Sequence, residues 1–130
     1  MKTVLIVEEN AAIRENMSKI LKLHGYNILA TANGKTGLAM ANGKKPDIIL
    51  CDVLVPEIDG YSIFNSLKDN PETMNIPFIF ITDSPDKKNV EIGLPVDADG
   101  YITKSFEGKE LCATIDLFLK PLKNSSLHEN

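Results

Sequence analysis

The stretch "IILCDVLVPEIDGY", residues 48–61, decides how this chain is read. Four apolar residues, Ile48 to Cys51, run straight into the carboxylate of Asp52. A short apolar run bounded by turn signals reads as a buried strand. A carboxylate at the tip of such a strand is costly to desolvate unless something compensates it. Asp59-Gly60 closes the stretch as a turn. Asp59 can cap a helix that carries Tyr61, Phe64 and Leu67 on one face, with Ile63 beside them.

Outward from this stretch, short apolar runs alternate with longer amphipathic ones. Val4 to Val7 reads as a first strand. Ile13, Met17, Ile20 and Leu21 share a helical face that stops at Gly25. Tyr26 to Thr31 reads as a second strand, and Asn33-Gly34 opens a short helix ending near Gly43. Asp47 to Cys51 is the third strand and Pro77 to Thr82 the fourth. Ser84-Pro85 is a good start for a fourth, short helix, which "GLPVDADG" ends. Tyr101 to Thr103 is a fifth strand, and Leu111, Ile115, Phe118 and Leu119 form the face of a last helix. Five strand–helix alternations predict an α/β fold, a doubly wound (βα)5 arrangement with a five-stranded parallel sheet and helices on both faces. Continuous apolar runs such as "FIFI" fit strands buried on both sides.

The 130 residues suit one domain, 1–120, followed by a polar tail, 121–130, that is either a frayed end or the start of a linker. With 43% hydrophobic residues the core needs no staples, so Cys51 and Cys112 read as small buried hydrophobes in a reducing, cytoplasmic setting. A net charge of −4 argues against nucleic-acid contact, which needs a basic stripe. No apolar run reaches membrane-spanning length.

In open parallel sheets, ligands gather at the carboxyl ends of the strands. Glu8 and Glu9 follow the first strand, Asp52 ends the third, Thr82 ends the fourth and Asp83 follows it, and Lys104 follows the fifth. Each alone reads as a solvated loop acid, a helix cap or a surface lysine; their joint placement is far more specific. Clustered carboxylates repel one another, and a divalent cation such as magnesium would relieve them. A carboxylate beside such a cation can act as a nucleophile toward a phosphoryl group. Lys104 and Thr82 could then hold phosphoryl oxygens.

These segments, "VLIVEEN", "PDIILCDVLVPEIDGY", "IPFIFIT" and "DGYITKSF", make the chain resemble the receiver domains of two-component response regulators, of flavodoxin-like fold, over roughly residues 3 to 120. The resemblance implies that Asp52 accepts a phosphoryl group from a sensor histidine kinase or phosphotransfer protein. It implies a Mg2+ site made by Glu8, Glu9, Asp52 and the backbone carbonyl of Leu54. Thr82 and Lys104 would contact the phosphoryl group, and Tyr101 would be the aromatic switch. Output would pass through the fourth helix, fifth strand and last helix to an output domain or protein, with a homodimer among the candidate partners. The domain would be a switch rather than an enzyme beyond self-phosphorylation and autodephosphorylation.

Three positions depart from the family pattern. The acid pair is Glu8-Glu9, where the family usually has at least one Asp, and each extra methylene moves a carboxylate about 1.5 Å outward. Asp83 stands where a small residue is usual. Ser105 stands where a proline is usual, commonly in a cis bond, so a trans bond and a differently aimed lysine are expected. Pro95 lies in the segment leading to Tyr101. These departures motivate the alternative, a degenerate receiver that binds partners independently of phosphorylation. A haloacid-dehalogenase-type phosphatase would need a second Asp where Leu54 stands. A flavodoxin-like electron carrier or a Rossmann domain would need phosphate-cradling donors where Glu8-Glu9-Asn10 stands. His24, His128, Asp97 and Asp99 read as surface or loop residues.

Overall fold

The computed structural model describes residues 1–83 and 98–119. Five strands, β1 (Thr3–Val7), β2 (Asn27–Thr31), β3 (Ile48–Asp52), β4 (Phe78–Thr82) and β5 (Gly100–Thr103), form one sheet. All four pairings are parallel and the order is β2-β1-β3-β4-β5. The helices described are α1 (Ala11–Leu23), α2 (Gly34–Lys44), α3 (Gly60–Lys68) and α4 (Gly108–Leu119). The expected α/β fold and parallel five-stranded sheet are therefore present. The helix expected from Ser84-Pro85, Pro95 and the tail fall outside the described residues.

The apolar runs serve both faces because strand side chains alternate. Val4, Ile6, Ile48, Leu50, Ile79, Ile81 and Ile102 pack with Met17 and Leu21 of α1 and with Leu111 and Ile115 of α4. Leu5, Val7, Ile49, Cys51, Phe78 and Phe80 pack with Ala41 of α2 and with Ile63, Phe64 and Leu67 of α3. Full burial of each such side chain contributes about 1.5–3 kcal/mol before entropy is charged. The sheet is thus a slab clamped from both sides, and its strand ends are fixed in space.

Element ends are set by local polar groups. The Asp59 carboxylate accepts from the Ser62 N–H at 2.9 Å, the cap read from sequence. Asp59→Ala is expected to cost about 1 kcal/mol, readable as a lower urea midpoint. The third strand starts one residue later than expected, at Ile48; Asp47 before it accepts from the Thr3 N–H through its side chain at 2.7 Å and donates its own N–H to the Thr3 carbonyl at 2.8 Å. Asp99 is more than a loop acid: it accepts from the Phe78 N–H at 2.7 Å, pinning the start of β4, and lies 3.6 Å from Lys68. His24 is likewise engaged, 2.9 Å from Asp116 of α4, which also accepts the Tyr26 hydroxyl.

The loop after β3 is held by close backbone approach. The Gly34 N–H donates to the Pro56 carbonyl at 3.0 Å, and a Cβ on Gly34 would lie 1.7 Å from the Ile58 carbonyl oxygen. The Gly60 N–H donates to the Val53 carbonyl at 2.8 Å, and a Cβ there would lie 2.5 Å from the Asp52 carbonyl oxygen. Between them Glu57 takes a left-handed φ of 72°, unusual for a residue with a side chain. Its carboxylate accepts from Asn33 Nδ2 at 2.8 Å.

Candidate functional site

β1 and β3 are central neighbours whose following helices cover opposite faces, so a crevice opens beyond their carboxyl ends. A cleft of about 480 Å³ lies there, lined by Glu8, Glu9, Asn10, Asp52, Leu54 and Lys104. Five of these six are residues that the sequence had singled out. Thr82 is placed at the adjacent strand end, buried but outside the cleft lining.

Asp52 is buried as the last residue of β3. Its Oδ2 accepts from Lys104 Nζ at 2.9 Å and its Oδ1 from the Leu54 N–H at 3.3 Å. Lys104 also lies 3.8 Å from Glu8 Oε2. Its backbone N–H donates to the Thr82 carbonyl at 2.9 Å, so one residue ties β4 to the end of β3. Burial works against the lysine's charge. The Asp52 hydrogen bond and the charges of Asp52, Glu8 and Asp83 outweigh that effect and raise its pKa. The peptide bonds of the described residues are all trans, including the one before Ser105. With this bond trans, the Lys104 ammonium reaches Asp52.

The acid pair splits. The Glu8 N–H still bonds the Thr31 carbonyl at 3.0 Å, so Glu8 extends the β1 ladder and its side chain turns inward, fully buried. Glu9 is past the ladder and exposed. Glu8 Oε2 accepts from the Asn10 N–H at 3.0 Å, whereas Glu8 Oε1 is buried without a hydrogen-bond partner. Burial, with a smaller push from the Asp52 carboxylate, raises the Glu8 pKa to about 7 against the opposing Asn10 N–H and Lys104. Among the described residues no three acidic, histidine or cysteine side chains meet at metal-binding spacing. Where the sequence suggested three clustered acids, the geometry is two buried acids sharing a lysine, with the third acid at the rim.

Tyr101 of β5 stands outside the cleft, its ring stacked on Phe80 with centroids 6.2 Å apart. Sequence reasoning missed Asn10 and Arg14. Asn10 caps α1 by accepting from the Ile13 N–H at 2.9 Å while its own N–H holds Glu8. Its place just before the first periodic apolar residues was a readable cap signal. Arg14 had no such signal, since its partners are backbone carbonyls.

The parallel sheet thus carries acids at its central strand ends and a lysine after its edge strand, and comparison with known proteins gives this arrangement a family. Residues 4–116 match the family model described as the response regulator receiver domain. The chain belongs to that family. It is 38% identical over 119 residues to the phosphate regulon transcriptional regulatory protein PhoB of Pseudomonas aeruginosa, covering 92% of this chain and 52% of PhoB. It is 33% identical to the solved signal receiver domain of a signal transduction histidine kinase from Syntrophus aciditrophicus, with a TM-score of 0.82 over 92% of this chain and 90% of that one. The receiver domain of a sensor histidine kinase from Pseudomonas aeruginosa, solved with magnesium coordinated in its active-site cleft, shares the fold at 24% identity and a TM-score of 0.85, covering 92% and 98% of the two chains. The chain spans about half the length of the curated relatives it matches. Receiver domains of two-component response regulators are signalling domains rather than turnover enzymes. Among the described residues no helix is long and apolar enough to cross a membrane.

Proposed function

We propose that this receiver domain is phosphorylated on Asp52 by the phosphohistidine of a sensor histidine kinase or phosphotransfer protein. The observation that carries the reading is the Lys104 ammonium, 2.9 Å from Asp52 and 3.8 Å from Glu8 in an open cleft. An Asp52 carboxylate oxygen forms the new O–P bond while the donor's N–P bond breaks and its imidazole keeps the electron pair. Lys104 shifts its contact from Asp52 to a phosphoryl oxygen, which is a strong charge-assisted bond. Thr82, at the neighbouring strand end, offers its hydroxyl to another.

The cleft fits a divalent cation. Glu8 Oε1 is a buried oxygen lacking a partner, Asp52 stands beside Lys104, and Glu9 and Leu54 line the space where waters would complete a shell. Glu8, Asp52 and the Leu54 carbonyl would hold magnesium, with Glu9 reaching it from the rim through water, and the bound ion would neutralise charge on the transferring phosphoryl group. Tyr101, on the β5 edge, would change rotamer with Thr82 and so alter the surface offered to an output domain, a partner protein or a second copy. The domain acts in the cytoplasm in this reading.

The test is incubation with magnesium and acetyl phosphate followed by intact mass measurement. Gain of one phosphoryl group by the native chain, absent from Asp52→Asn and in chelator, is the expected outcome. No gain from either acetyl phosphate or a phosphorylated kinase, with a melting temperature indifferent to magnesium, would sink the reading in favour of a phosphorylation-independent binding module.

A further inference from the structure

We infer that Arg14 is a positioning residue for the acidic cleft, acting through the backbone of the acid pair. This rests on the phosphoacceptor reading above. Arg14 Nη1 donates to the Glu8 carbonyl at 2.9 Å and to the Glu9 carbonyl at 3.2 Å. These carbonyls lie where the chain leaves the sheet, so donors must come from elsewhere. A guanidinium rooted on α1 supplies them from one atom.

The choice of acceptor matters. Among the described residues Arg14 forms no ion pair, and it does not line the cleft. An arginine bound to the carboxylates would neutralise them and compete with a cation. Bound to the carbonyls, it orders the loop and leaves the carboxylate oxygens available. The rest of the loop is fastened to the same helix. The Asn10 N–H holds Glu8 Oε2, the Asn10 side chain caps α1 at Ile13, and the Asn10 carbonyl accepts from the Arg14 N–H at 2.9 Å. Arg14 is itself anchored, since its carbonyl accepts the Ser18 hydroxyl at 2.8 Å. The first turns of α1 and the acid pair therefore form one unit. Arg14 is the only member of it whose side chain reaches back over both acidic residues among the described contacts. Groups that orient metal ligands without touching the metal commonly change affinity by about 10- to 100-fold when removed.

The test compares Arg14→Met, which keeps the stem and removes the donors, with Arg14→Lys, which keeps one cationic head. Magnesium affinity is measured by titration calorimetry, and backbone hydrogen exchange is measured on the cation-free protein. Arg14→Met is expected to weaken magnesium binding about tenfold and to speed exchange at Glu9 and Asn10 while β3 and β4 keep their protection. Arg14→Lys is expected to recover part of both. Unchanged affinity and unchanged exchange in Arg14→Met would overturn the inference. So would a loss of affinity that merely tracks a global loss of stability in both variants. If the native chain binds no magnesium, the cation reading falls, yet the exchange comparison still decides whether Arg14 orders the loop.

Discussion

Gly34→Ala is expected to destabilise the domain by roughly 3 kcal/mol or more and to lower its melting temperature by on the order of 10 °C. The added methyl carbon would sit 1.7 Å from the Ile58 carbonyl oxygen and 3.0 Å from a Val55 methyl. The first of these is backbone, so no rotamer change relieves it. The start of α2 must move away from the β3–α3 loop, which strains the Gly34 to Pro56 hydrogen bond. That loop carries Leu54, so the variant should also respond less to magnesium. Gly43→Ala is the matched control. It lies in the same helix, a Cβ added there would meet nothing within 4 Å, and the variant should gain about 0.5–1 kcal/mol from helix propensity. Thermal melts of the pair separate backbone crowding from helix propensity, and a Gly34→Ala melt equal to that of the native chain would show that the loop yields freely.

Glu8→Gln is expected to act in the opposite direction, and only above mildly acid pH. In the folded domain Glu8 titrates near 7 against an ordinary value of 4.5. Below about pH 4.5 the carboxyl is neutral folded or unfolded. As pH rises, the unfolded chain releases this proton first, so stability is lost progressively until the folded group has ionised. The full loss is on the order of 3 kcal/mol. Glu8→Gln removes it, so at about pH 8 without divalent cation the variant should melt higher than the native chain, and at about pH 4 the two should coincide. Magnesium should stabilise the native chain at the higher pH and do little for the variant. A native chain that melts at the same temperature at both ends of this range, matched by the variant, would contradict the burial of a strained acid at this place.

The same two acids show what a sequence can and cannot disclose. The strands were legible because Val4–Val7, Ile48–Cys51 and Phe78–Ile81 are unbroken apolar runs, which only a sheet covered on both faces accommodates. Asp52 was legible because it ends such a run, and Lys104 because it follows the short strand Gly100–Thr103. Glu8 and Glu9 were indistinguishable in sequence. The ladder bond to Thr31 buries the first and leaves the second outside, and the reach of a ladder is a tertiary fact. Asp99 on the Phe78 N–H, Arg14 on two carbonyls and Gly34 against Ile58 were hidden for the same reason. In each, one partner is backbone, which every residue carries alike.

The lysine that closes the cleft comes late in the chain. Asp52 and Glu8 belong to neighbouring strands in its first half, while Lys104 follows Asp52 by 52 residues. Synthesis runs from the N-terminus, so the early strands emerge before the later ones. On the ribosome, β1 and β3 can therefore meet with their two acids facing each other and no internal cation between them. The repulsion disfavours early closure of this edge until β5 arrives with its positive charge. The strand that comes last in the chain thus leads to the counter-ion for two acids placed in its first half.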